Sequence, residues 1–210
     1  MVNSLNSLSQ IKIDLRNETY RQAGMWAIML SNPDQCEHMK FIIRTAGAKR
    51  GIEIGTFTGY SALCMAEGLP DDGLLICLEK SETYTELAKD YWDRAGVGHK
   101  IQLRIGAALD SLAEMAKDEE NLEAFDFAFI DGDKSLYTKY VDNLLPFLKP
   151  GGFLMLDNTL WMGKVADPNL RAADLDTRII YETVTNALTN PRFDMHTLCI
   201  ADGLTIIQVR

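Results

Sequence analysis

Histidine and cysteine are scarce, with three and four respectively among 210 residues. His38, His99 and His196 stand apart from one another, and Cys36, Cys64, Cys77 and Cys199 are widely spaced, so the ligand spacing of a zinc site is absent. Three of the four cysteines sit within apolar patterns and read as reduced, mostly buried thiols. That points to a reducing compartment, the cytoplasm, and away from a disulfide framework. A basic surplus is also lacking. With 21 basic against 30 acidic residues the net charge is −9, which leaves little to displace counterions from a phosphate backbone and counts against nucleic acid as a partner. The longest strongly apolar run, from Ala23 to Leu30, is far too short to span a bilayer. Met1–Gln10 has no basic segment followed by an apolar one, so neither a membrane anchor nor a secretory signal is expected.

Repeats, low-complexity tracts and Pro- or Ser-rich linkers are missing as well, and at this length a single domain over 1–210 is expected. What the chain has is a hydrophobic content of 47% and a regular alternation. Short apolar or β-branched runs occupy Gly51–Ile54, Leu74–Glu79, Ile101–Ile105, Asp126–Ile130 and Phe153–Leu156. Helical patterns lie between them at Tyr60–Gly68, Thr83–Ala95, Leu109–Lys117 and Tyr137–Leu148. Strands separated by helix-length segments predict right-handed crossovers and a mostly parallel sheet covered on both faces. Asp174–Leu188 reads as a helix, followed by strand-like runs at Phe193–Ile200 and Leu204–Arg210 joined by Ala201-Asp-Gly203, a hairpin signal. Residues 1–50 read as helical, with Pro33-Asp34 opening the helix before the first strand. The expected fold is a doubly wound α/β domain with seven strands, of which the C-terminal one is antiparallel.

Ligands in such sheets bind beyond the carboxyl ends of the strands. Four of the five parallel strand ends carry acidic groups: Glu53, Glu79, Asp131 and the pair Asp157-Asn158. The loop Glu53-Ile-Gly-Thr-Phe-Thr-Gly-Tyr-Ser61 joins the first strand to a helix, and its glycines let a ligand approach the backbone near free N–H groups. The dinucleotide fingerprint Gly-x-Gly-x-x-Gly is absent, which disfavours a nicotinamide dehydrogenase. A wider loop suits an adenosine ligand bearing an amino acid, such as S-adenosylmethionine, with Glu79 placed to accept from both ribose hydroxyls. Taken alone, the loop is equally a tight turn and Glu79 equally a solvated strand end.

Asp131 and Asp157-Asn158 would converge if their strands were neighbours, about 4.8 Å apart. Two carboxylates and a carboxamide suit a hard divalent cation such as Mg²⁺, with Mn²⁺ or Ca²⁺ as alternatives. The other reading of each is a cap or a local turn, habits of Asp and Asn. Lys134 lies one helical turn beyond Asp131 and could take a proton in the same cavity. Trp161 offers a flat wall for an aromatic ring, and equally serves as core.

Three stretches together, Glu53-Ile-Gly-Thr-Phe-Thr-Gly-Tyr-Ser61, Phe129-Ile-Asp-Gly-Asp-Lys134 and Leu156-Asp-Asn-Thr-Leu-Trp161, resemble the cation-dependent O-methyltransferases. That group includes caffeoyl-CoA and catechol O-methyltransferases and many bacterial relatives. The likeness runs from about Ser31 to the C-terminus and takes in Ala201-Asp-Gly-Leu-Thr205. It implies a Rossmann-like class I methyltransferase fold and a homodimer. By the same resemblance Ser31, Glu53, Gly55, Thr56, Ser61, Glu79, Ala108 and Asp131 would form the S-adenosylmethionine site. Asp131, Asp157 and Asn158 would hold the cation, Lys134 would be the general base beside Asp131, and Asp133 and Trp161 would face the substrate. Gly132 stands where alanine is usual, a change expected to matter little, and Met162 replaces an asparagine of the plant caffeoyl-CoA enzymes. The N-terminal segment is short and does not match an acyl-CoA-contacting region. The resemblance therefore implies methyl transfer to a catechol-like phenol rather than to a CoA thioester, with a non-catalytic S-adenosylmethionine-binding module as the alternative.

Overall fold

The computed structural model describes residues 8–210. The part of the N-terminal helical expectation that falls on residues 1–7 lies outside the described residues. Helix α1 (Gln10–Ala23) passes through a 3-10 segment, Gly24–Met29, to α2 (Pro33–Thr45). Asn32 caps α2 by accepting from Asp34 N at 2.9 Å, and Pro33 opens its first turn, where no N–H is needed. The alternation then appears as β1 (Arg50–Ile54), α3 (Tyr60–Gly68), β2 (Leu74–Glu79), α4 (Thr85–Arg94), β3 (Ile101–Ile105), α5 (Ala108–Met115), β4 (Phe125–Ile130), α6 (Tyr137–Leu144) and β5 (Leu148–Leu156). The chain closes with α7 (Pro168–Ala173), α8 (Leu175–Thr189), β6 (Phe193–Leu198) and β7 (Leu204–Val209). Among the described residues no helix is long and apolar enough to cross a membrane.

The seven strands form one sheet in the order β3-β2-β1-β4-β5-β7-β6. β1 to β5 pair in parallel, and β7 lies antiparallel to both β5 and β6, as the hairpin signal predicted. Successive residues of the central strands feed opposite cores, as strand pleating requires. Phe127 and Phe129 join Met39, Leu63 and Met155 on one face, while Ala128 and Ile130 join Ile54, Leu156, Tyr137 and Ile180 on the other. From β1 the chain winds outward to β2 and β3, and β4 and β5 lie on the other side. The order therefore reverses between β1 and β4, and a crevice opens at their carboxyl ends.

Most boundaries between Gly51 and the C-terminus fall within two residues of the sequence reading; two are further off, and one element is new. β5 begins at Leu148, five residues early, because Leu148 already pairs with Phe125 before Lys149–Gly152 buckle and Phe153 resumes opposite Phe127. The helix expected to reach Leu148 stops at Leu144, and Leu145–Phe147 continue as a 3-10 turn carrying Pro146. The stretch 163–174, to which the sequence reading assigns no element, contains α7, which has a capping Asp167 followed by Pro168 at its first position.

Candidate active site

A cavity of about 1140 Å³ lies over the carboxyl ends of the parallel strands. Ser31, Gly55, Thr56, Ser61, Glu79, Ala108, Asp131, Asp133, Lys134, Asp157, Asn158 and Trp161 all line it. The sequence reading is thus assembled in one place, with one exception. Glu53 is completely buried and lies beneath the cavity rather than on its wall.

Glu53 acts from below as an anchor. Its carboxylate accepts from Ser61 Oγ at 2.5 Å and Thr56 Oγ1 at 3.1 Å, which fixes both ends of the loop after β1. Burial pushes its pKa up to about 7. Gly55, at φ 89°, passes so close to β4 that a Cβ would stand 2.2 Å from the Asp131 carbonyl oxygen. Gly59 takes the left-handed conformation that starts α3, and its carbonyl accepts from Trp92 Nε1 at 2.9 Å. Glu79 Oε2 accepts from the backbone N–H groups of Thr56 and Phe57 at 2.8 Å each, and Oε1 from Ser81 N at 2.8 Å. The acid at the end of β2 therefore shapes the loop and keeps acceptor capacity on Oε1 for a ligand hydroxyl.

The acidic side follows from register. Ile130 and Leu156 are paired across β4 and β5, so Asp131 and Asp157 are the next residues on adjacent strands. Asp131 N donates to Ile54 O at 2.8 Å and Asp157 N to Ile130 O at 3.0 Å, which fixes both backbones. Asp157 is buried, and burial followed by the charge of Asp131 raises its pKa to about 7. Lys134 Nζ donates to Asp131 Oδ1 at 2.9 Å and to the Tyr137 hydroxyl at 2.7 Å. Tyr137 in turn donates to the carbonyls of Ile130 and Asp157, at 3.2 and 3.1 Å. Ser31 Oγ approaches Asp131 Oδ2 at 3.4 Å. Asp133 caps the turn after β4, accepting from Ser135 N at 3.0 Å and Ser135 Oγ at 2.6 Å.

Asn158, Trp161 and Met162 all have positive φ, at 54°, 46° and 54°, an unusual density of strain for residues with side chains. The hairpin turn of β6 and β7 holds them. Gly203 O and Asp202 O accept from Thr159 N and Leu160 N, at 3.1 and 2.9 Å, and Asp202 Oδ1 accepts from Met162 N at 2.7 Å.

The donor set fits a hard cation. Among the described residues no group of three or more His, Cys, Asp or Glu side chains is placed to hold a metal. The Asn158 carboxamide beside the carboxylates of Asp131 and Asp157 would give an all-oxygen set suited to a Mg²⁺-like ion. Sequence reasoning missed Gln35 and the exposed apolar rim of Trp26, Ile28 and Met29, which also line the cavity, and Tyr137, which is buried behind Lys134. Gln35 carried a signal: it stands at the head of the Gln35–Met39–Ile43 stripe, a polar residue where the i, i+4 pattern calls for an apolar one.

Comparison with known proteins agrees with this geometry. The profile of a family described as O-methyltransferase matches residues 3–210. Tricin synthase 1 of Oryza sativa subsp. japonica is 40% identical over 190 residues, covering 87% of this chain and 75% of that one. Caffeoyl-CoA O-methyltransferase 2 of Zea mays is 37% identical over 187 residues, covering 87% and 71%. Among solved structures, an O-methyltransferase from Bacillus cereus in complex with SAH has a TM-score of 0.89 at 26% identity, covering 100% of this chain and 95% of that one. The O-methyltransferase TomG from Streptomyces achromogenes, in complex with SAM, has a TM-score of 0.89 at 25% identity, covering 99% and 93%. Sequence motifs, sheet order and strand-end chemistry converge, and the chain belongs to the O-methyltransferase family.

Proposed function

We propose that the protein transfers a methyl group from S-adenosylmethionine to one hydroxyl of a catechol-like phenol, at a site that also holds a divalent cation. The observation that carries this reading is the convergence of Asp131 with Asp157-Asn158 at adjacent strand ends, in the same cavity as the loop after β1. The neighbours that bind SAH and SAM support the cofactor. The caffeoyl group in the maize relative's name is a vicinal diol and supports the acceptor.

The acceptor end of the cavity is apolar. Trp26, Ile28, Met29 and Met162 line it while remaining largely exposed, offering surface to an aromatic body. Its basic lining is confined to Lys80 and Lys134, and Lys134 is already paired with Asp131. A CoA thioester needs several cations for its phosphates. A small phenol fits the wall better.

S-adenosylmethionine supplies a methyl group on a sulfonium. A bound divalent cation, held by Asp131, Asp157 and Asn158, would supply charge that lowers the pKa of an acceptor hydroxyl. Lys134, which Asp131 and Tyr137 hold in place, takes the acceptor's proton at Nζ after releasing one of its own to solvent. The acceptor oxygen forms a bond to the methyl carbon, the carbon–sulfur bond breaks, and its electron pair leaves on sulfur as a thioether. Glu53, Gly55 and Glu79 fix the loop on the cofactor side, so alignment is built into the fold.

The test is methyl transfer to a panel of catechols and to caffeoyl-CoA, with Mg²⁺ and with EDTA. Mg²⁺-dependent methylation of a vicinal diol is expected. Methylation that persists undiminished in EDTA would remove the cation from the reading.

A further inference from the structure

Gln35 is a buried polar side chain that the reaction as described does not use. It sits in the first turn of α2 at 0% exposure, and it lines the cavity. Neither Nε2 nor Oε1 completes a hydrogen bond within the protein. A buried carboxamide without partners is costly, and leucine or methionine would fill the same space without that cost. Its persistence at the wall of a cavity points to a partner that belongs to the loaded site.

Asp157 is the acid it adjoins. Gln35 and Asp157 line the same cavity, and Asn158 N holds Asp157 by donating to its Oδ1 at 2.7 Å. The start of α2 thus serves both acids, with Ser31 Oγ toward Asp131 and Gln35 beside Asp157. A carboxamide is the chemistry required there. A glutamate would add a third negative charge, and an apolar residue would put no donor within reach of Asp157.

We propose that Gln35 is a positioning residue of the cation site: when the ion is bound, its carboxamide donates to the Asp157 carboxylate and fixes the face that Asp157 presents to the ion. The inference rests on the cation reading given under Proposed function. Outer partners of metal ligands typically change metal affinity 10- to 100-fold when removed.

The experiment compares wild type, Gln35→Met and Gln35→Asn, each saturated with S-adenosylhomocysteine, by calorimetric titration with Mn²⁺ and by thermal unfolding in EDTA. Gln35→Met preserves volume and deletes both polar atoms, so its Mn²⁺ Kd is expected to rise about 10- to 100-fold while its unfolding temperature in EDTA holds or rises. Gln35→Asn keeps the amide but retracts it by one methylene, and is expected to weaken Mn²⁺ in the same direction with S-adenosylhomocysteine affinity unchanged. A purely structural role predicts the opposite pattern, with lower unfolding temperature and weaker S-adenosylhomocysteine binding. That pattern, or Mn²⁺ affinity within twofold of wild type in both variants, overturns the proposal and leaves the cation reading standing. Wild type that binds no Mn²⁺ overturns both together.

Discussion

Glu53 and Asp157 are both held out of water, and burial pushes each carboxyl up to about 7 from ordinary values of 4.5 and 3.8. Between those ordinary values and 7 the native protein keeps protons that the unfolded chain has released. Their contribution is therefore fully present in acid and is lost as pH rises through 7. Glutamine at position 53 keeps an acceptor for Ser61 and Thr56 without an ionisable group. Glu53→Gln is expected to unfold at a temperature that falls less between pH 5 and pH 8 than that of wild type, and an equally steep fall would show that Glu53 ionises normally. At Gly55 the constraint is spatial. An added Cβ would meet the Asp131 carbonyl at 2.2 Å, at a φ of 89° that side chains avoid. Gly55→Ala is expected to cost at least ~2 kcal/mol in urea unfolding and to weaken S-adenosylhomocysteine binding. Glu53 also shows where the sequence stops being legible. Its place at a strand end was readable, but pleating sends Ile52 and Ile54 into one core and Glu53 to the other side, under the loop. Only the folded loop reveals that its partners are Ser61 and Thr56.

At the scale of elements, the strained loop 158–162 and the hairpin turn 201–203 form one unit. The hairpin turn was readable from Ala201-Asp-Gly203, and so was the strand leading into Asp157. Their contact was not, because it joins residues some 40 positions apart through backbone groups and the Asp202 carboxylate, which no local pattern records. Gly203 marks the point of contact, since a Cβ there would lie 2.6 Å from Leu160 Cγ and 2.7 Å from Leu160 N. Gly203→Ala is expected to destabilise the protein by roughly 2 kcal/mol and to push the Asn158–Met162 loop off its support. Because the loop after β1 lies elsewhere, turnover of the acceptor should fall more than S-adenosylhomocysteine affinity. Equal losses in both would mean that the turn supports the whole sheet rather than the acceptor side. The α7 segment escaped the sequence reading for a related reason: it spans only Pro168–Ala173, under two turns, too short for an apolar stripe to declare itself.

At the scale of the molecule, the site draws on the ends of β1, β2, β4 and β5 and on the start of α2, so occupancy and stability are linked. A ligand that binds only the native state adds about 2.7 kcal/mol at 100 times its Kd, and S-adenosylhomocysteine should raise the unfolding temperature by several degrees in a chain of this length. A cation behaves differently, because it must compete with a proton. With burial and the Asp131 charge raising Asp157 to about 7, that carboxyl is largely protonated at pH 5.5 and largely ionised at pH 8. Mg²⁺ should therefore raise the unfolding temperature more at pH 8 than at pH 5.5. Asp157→Ala should abolish the Mg²⁺ response, and with it turnover, while the shift from S-adenosylhomocysteine largely remains. Thermal unfolding at both pH values, with Mg²⁺ or EDTA, separates the cases. A response to Mg²⁺ that ignores pH, or that survives Asp157→Ala, would place the cation away from these strand ends, and the acidic pair would then stand as a repulsion held in check by Lys134 and the fold around it.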